Sequence, residues 1–111
     1  MRILIVDDSS YIRATLRATL EEKGYEVIGA AKDGETAIDL ALELTPDVIT
    51  LDNILPDMAG LDVLKALNER GVKSKVIMIS AVGQQSAITE VLDNGAKNYL
   101  VKPSQREHNS D

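Results

Sequence analysis

Five polar residues stand where four aliphatic runs stop. Ile3-Leu4-Ile5-Val6 ends at Asp7-Asp8, Val48-Ile49-Thr50-Leu51 at Asp52, Val76-Ile77-Met78-Ile79 at Ser80, and Tyr99-Leu100-Val101 at Lys102. Taken singly, each acid reads as a helix cap or a solvated loop charge, Ser80 as a cap and Lys102 as a surface cation. Taken together they read differently. Gathered carboxylates repel, and the simplest compensation is a hard cation with oxygen ligands, Mg²⁺ above all. Such a cation, a hydroxyl donor and a lysine are what a phosphoryl group needs around its oxygens. One of the carboxylates can then act as nucleophile and become an aspartyl phosphate. The residues therefore point to metal-assisted phosphoryl chemistry on Asp52.

That reading requires the runs to be strands lying side by side. Val48, Ile49 and Leu51 form a run too short for a core helix and suited to a strand buried on both faces. Between the runs lie helical periodicities. Ile12, Leu16 and Leu20 recur behind Ser9 or Ser10 as cap, with Gly24 at the end. Ala37, Ile38, Ala41 and Leu42 follow the Asp33-Gly34 turn and stop at Pro46. Leu61, Leu64 and Leu67 run to Gly71, and Ala87, Ile88, Val91 and Leu92 run to Gly95. Tyr25 to Ala31 reads as a more polar edge strand. Five strands alternating with four helices predict an α/β fold, a flavodoxin-like doubly wound parallel sheet of order 2-1-3-4-5. In that order the first and third strands are neighbours, so Asp7, Asp8 and Asp52 meet at the switch point, where such sheets bind ligands.

Composition narrows the partners. The chain has 111 residues, enough for one core. A formal charge of −6 and an aromatic content of 3% disfavour nucleic acid and an anionic membrane surface. The absence of cysteine excludes disulfides and thiolate metal sites. A strand starting within two residues of Met1, and no apolar run near the roughly 20 residues of a membrane span, suggest a cytoplasmic protein without a signal peptide.

The sequence resembles the receiver domain of two-component response regulators, the CheY-like family. The resemblance is carried by Ile3-Leu4-Ile5-Val6-Asp7-Asp8-Ser9, by Leu51-Asp52-Asn53-Ile54-Leu55-Pro56-Asp57-Met58-Ala59-Gly60, by Ser80-Ala81 and by Val101-Lys102-Pro103. It implies that Asp52 accepts a phosphoryl group from a sensor histidine kinase. It also implies that Asp8 and Asp52, with Asp7 largely through water and the backbone carbonyl of Ile54, hold Mg²⁺. Ser80 and Lys102 would meet the phosphoryl group, with a cis peptide between Lys102 and Pro103 aiming the lysine. Tyr99 would be the switch aromatic, although by itself it reads as an edge-strand tyrosine with its hydroxyl in water. Ser80 to Gln85 resembles stand-alone chemotaxis regulators more than transcriptional ones, and signalling would pass to an output protein. Asp57, after Pro56 in an outward loop, is expected to contribute little to the metal.

Two departures from the family stand out. Ala59 replaces a residue that is often Asp or Asn. After Pro103 the family has a fifth amphipathic helix, whereas Ser104 to Asp111 contains no apolar residue. The expected organisation is therefore a receiver domain over 1–103 and a polar tail over 104–111, with His108 solvated in that tail. A sheet face left bare by a missing fifth helix would favour self-association as a homodimer. Other classes fit less well. Aspartyl-nucleophile phosphatases place a second acid two residues after the first, where this chain has Ile54. A nucleotide or flavin module places a glycine- or hydroxyl-rich loop after the first strand, where this chain has Asp7-Asp8. A phosphorylation-independent interaction module of the same fold is the alternative.

Overall fold

The computed structural model describes residues 1–80 and 85–101. The order is β1 (Arg2–Val6), α1 (Ser10–Glu22), β2 (Glu26–Ala31), α2 (Gly34–Leu44), β3 (Val48–Asp52), α3 (Gly60–Glu69), β4 (Lys75–Ser80), α4 (Gln85–Asp93) and β5 (Asn98–Val101). The strands form one parallel sheet in the order β2-β1-β3-β4-β5. This is the flavodoxin-like topology that alternating strands and helices predict. Four helices accompany it among the described residues.

Local chemistry sets the element ends. Ser9 is the cap of α1, its Oγ accepting the Ile12 N–H at 3.2 Å, and Asp33 caps α2 through the Thr36 N–H at 2.8 Å. The strand expected from Tyr25 begins one residue later because the Tyr25 N–H donates to the Leu20 carbonyl at 3.0 Å, which keeps it in the closing turn of α1. α2 ends on Thr45, which adopts a left-handed φ of 46°. The Arg2 guanidinium donates to the Leu44 and Thr45 carbonyls at 2.7 and 2.9 Å, a cation at the negative end of the helix dipole.

The two sides of the sheet are packed unequally. On one side Leu4, Val6, Ile49, Leu51, Val76 and Met78 meet Ala37, Ile38 and Ala41 of α2, Val63, Leu64 and Leu67 of α3, and Val91 of α4. On the other, Ile3, Ile5 and Val48 meet only partly buried residues, among them Leu16 and Leu20 of α1 and Ile77. Ile12, Leu16 and Leu20 do form the inward stripe of α1, yet no residue of that helix is buried. Ile79 is half-buried and Leu100 is 48% exposed, so the α1 side thins toward β4 and β5 among the described residues. The polar tail expected over 104–111 lies outside the described residues.

This asymmetry has a measurable consequence. Leu64→Ala should lower unfolding free energy by about 3 kcal/mol, the usual cost of emptying a fully buried leucine site. Leu16→Ala, where solvent already reaches the side chain, should cost less than about half of that. Urea denaturation of both variants checks the ranking, and equal losses would contradict the two-sided description.

Candidate functional site

The site is fixed by the pairing of β1 with β3. Ile3 to Val6 lie opposite Val48 to Leu51, so the next residues of each strand, Asp7 and Asp52, end side by side. Asp7, Asp8 and Asp52 each bring a carboxylate oxygen to within 4.8 Å of the others. Asp7 is 1% exposed and Asp52 7%, whereas Asp8 is open to solvent. Charged groups this buried require a partner, and oxygen-only donors are what Mg²⁺ takes. The three acids therefore form a pocket that could hold a metal ion.

Asp7 is held on three sides. Its N–H donates to the Ala31 carbonyl at 3.0 Å, joining the ends of β1 and β2. Its carboxylate accepts the Ser9 N–H at 2.9 Å, and its carbonyl accepts from the Arg13 guanidinium at 2.8 Å. Arg13 is a residue that sequence reasoning missed. Its signal was present: it lies one turn after the Ser9 cap, the distance at which a helical side chain reaches back over the preceding turn.

The loop from Asn53 to Gly60 folds back on itself. The Gly60 N–H donates to the Asn53 carbonyl at 2.7 Å, Ile54 and Ala59 form an antiparallel bridge, and the Leu55 N–H donates to the Met58 carbonyl at 3.2 Å. Leu55 is buried and anchors the loop to the main core, while Ile54 is 65% exposed. Gly60 is required by close approach: a Cβ there would collide with the Asp52 carbonyl and stand 2.9 Å from Met78 Cε. The neutral side chain of Ala59 is spent as the N-cap position of α3, where it makes no side-chain cap bond.

Asp57 is exposed, as its outward loop suggests, but its carboxylate turns back onto α2. It accepts the Gly34 N–H at 2.8 Å and the Glu35 N–H at 2.9 Å. These bonds, the Gly34 amide foremost, hold its carboxyl below the usual carboxylate range. Sequence spacing gave no sign of this contact, because it joins residues 23 positions apart.

The remaining predicted residues divide. Ser80 ends β4 and is 1% exposed, on the strand next to Asp52. Tyr99 sits on β5 opposite Met78 and packs, half-buried, against the main core. Lys102, its peptide bond to Pro103, and the Ala81 to Gln84 segment lie outside the described residues. No described helix is long and apolar enough to cross a membrane.

Comparison with known proteins agrees with this geometry. The family model described as the response regulator receiver domain matches residues 3–109. The chain is 40% identical to the chemotaxis protein CheY of Thermotoga maritima and 38% to that of Bacillus subtilis, covering 94% of this chain and 87% of each relative. Among solved structures, the response regulator domain of Thermotoga maritima CheB superposes with a TM-score of 0.89 at 34% identity, covering 98% of this chain and 86% of that one. CheY of Borrelia burgdorferi, solved in a CheX-CheY-BeF3-Mg complex, superposes with a TM-score of 0.90 at 34% identity, covering 99% and 84%. With its sheet order, its acid pocket and a family match over nearly its whole length, this chain belongs to the receiver domains of response regulators and is a CheY-like phosphoacceptor of two-component signalling.

Proposed function

We propose that Asp52 is the phosphoacceptor and that a sensor histidine kinase is the donor. A carboxylate oxygen of Asp52 attacks phosphorus, the phosphorus–nitrogen bond of the phosphohistidine breaks, and its electron pair returns to the imidazole nitrogen. The observation that carries this is the meeting of three carboxylates within 4.8 Å at adjacent strand ends, with Asp52 itself 7% exposed. Asp7, Asp8, Asp52 and the Ile54 carbonyl would hold Mg²⁺, which when bound neutralises charge on the phosphoryl oxygens. Ser80 donates its hydroxyl to a phosphoryl oxygen, and Lys102 supplies a cation to another. The role of Lys102 rests on the resemblance of Val101-Lys102-Pro103 to the family's pattern.

The consequence is a shift between two arrangements rather than turnover of a substrate. A phosphoryl group that binds one position of Ser80 better than another biases the equilibrium between them. Tyr99 would report that shift to an output protein on the α4–β5 side, a role supported by its half-buried position on the strand beside that of Ser80. The 40% identity to a chemotaxis protein supports a cytoplasmic chemotaxis-type regulator.

Acetyl phosphate with Mg²⁺ should add one acid- and base-labile phosphoryl group by intact mass, and Asp52→Asn should abolish it. Labelling of the variant at the parent rate would refute the assignment. Asp8→Ala should weaken Mg²⁺ binding by roughly 100-fold, the upper end of what even outer partners of a metal ligand cost. Calorimetric titration reads this directly, and an unchanged affinity would remove Asp8 from the metal set.

A further inference from the structure

Hydrogen bonds, covalent backbone and the β1–β3 pairing together make a circuit around the acid pocket, in which the Asp57 carboxylate bridges the loop after β3 to the start of α2. From Asp7 the circuit passes by backbone bond to Ala31 at the end of β2, then along the covalent backbone of Lys32 and Asp33 into the first turn of α2. There the Gly34 and Glu35 amides reach across to the Asp57 carboxylate. From Asp57 the loop returns through its own cross-bonds, Leu55 to Met58 and Gly60 to Asn53, to Asp52. The Gly34–Met58 contact reinforces the same junction: a Cβ on Gly34 would stand 2.5 Å from Met58 Cγ and 2.9 Å from Val63 Cγ2. A side chain at position 34 would make Met58 and Val63 shift, so the glycine favours this close approach of α2 to the loop.

Nothing in the chemistry of Asp57 as a surface acid requires this geometry. A solvated carboxylate costs nothing to leave in water, whereas one that accepts two backbone amides at 2.8 and 2.9 Å fixes the segment that carries it. The first turn of a helix offers orphan amides, so the grip is available without any change in α2. The segment fixed is the one whose Ile54 carbonyl is assigned to the metal. A backbone carbonyl has no rotamer and can be aimed only by holding its loop. Leu55 anchors that loop from inside and the Ile54–Ala59 bridge pinches its base, but its tip, Pro56-Asp57, is exposed and is held through Asp57.

We propose that Asp57 is a positioning residue for the metal site: its clasp on the amides of Gly34 and Glu35 holds the Asn53–Gly60 loop so that the Ile54 carbonyl faces the acid pocket. This rests on the reading of the acid pocket as a Mg²⁺ site. Asp57 touches neither the ion nor the phosphoryl group; it acts through the loop.

The test compares three variants by Mg²⁺ titration and by amide exchange. Asp57→Ala should weaken Mg²⁺ binding by about 10-fold, the lower end of what outer partners of a metal ligand cost. It should also expose the Gly34 and Glu35 amides to exchange. Asp33→Ala removes a neighbouring acid and a cap of the same helix without touching the loop, and should leave Mg²⁺ affinity near that of the parent. Asp57→Asn keeps an acceptor oxygen while losing the charge, and should fall nearer the parent than Asp57→Ala does. Equal weakening by Asp33→Ala and Asp57→Ala would mean that charge or helix stability, not the clasp, sets the affinity. Asp57→Asn behaving like Asp57→Ala would assign the effect to charge. A parent that binds no Mg²⁺ would fail the metal reading itself, whereas a parent that binds it and an unaffected Asp57→Ala would overturn the clasp alone.

Discussion

The constraint on which the molecule depends is the parallel register of β1 against β3. Val6 lies opposite Leu51, so Asp7 and Asp52 leave the sheet at one level and in one direction. A slip of one residue would turn Asp52 to the other face and separate the acids. That register is held by burial on both sides of the central strands: Leu4 and Ile5 are both 0% exposed although they point to opposite faces. The aliphatic core thus has a chemical product. It brings carboxylates together within 4.8 Å, a geometry that no pairwise attraction among them would create.

The layers then divide the labour. The side bearing α2, α3 and α4 carries the large core and anchors the loop after Asp52 through Leu55. The α1 side is thinner, and its helix contributes through polar contacts at its start. Ser9 caps α1 and donates its N–H to the Asp7 carboxylate, while Arg13 reaches the Asp7 carbonyl. Rigidity at the acid pocket therefore comes from packing below it and from backbone hydrogen bonds around it, the arrangement expected of a preformed oxygen-ligand site.

Much of this was legible in the sequence, for physical reasons. Uninterrupted aliphatic runs such as Ile3–Val6 mark strands buried on both faces, and helical periods between them leave few topologies once crossovers are short and right-handed. The acids at the ends of those runs follow directly. The Asp57 clasp was not legible, because a hydrogen bond across 23 residues leaves no periodic trace. Nor was the shallow seating of α1: Ile12, Leu16 and Leu20 give a clear stripe, but a stripe says which way a helix faces and not how deeply it sits. Nor does an edge position reveal that the Tyr99 ring packs, half-buried, against the main core.

Two kinds of broken local rule remain, and they separate by location. Thr45 holds a left-handed φ of 46°, unusual for a β-branched residue, at the amino end of the sheet. A full structural account exists for it. Arg2 holds its carbonyl and that of Leu44, the Thr45 N–H returns to Ala41, and Pro46 follows to stop the helix. Asp7 and Asp52 break a different rule, burying charge at 1% and 7% exposure, and they do so at the carboxyl end. The Ser9 N–H bonded to Asp7 offsets part of the cost of that burial, yet apolar residues would continue the strands and cap the core more cheaply. The first is a turn held in shape by its neighbours; the second gathers carboxylates whose mutual repulsion a bound cation would offset. That contrast makes the carboxyl end of the sheet the candidate site of this chain, whereas the strained turn at the other end serves to close the sheet.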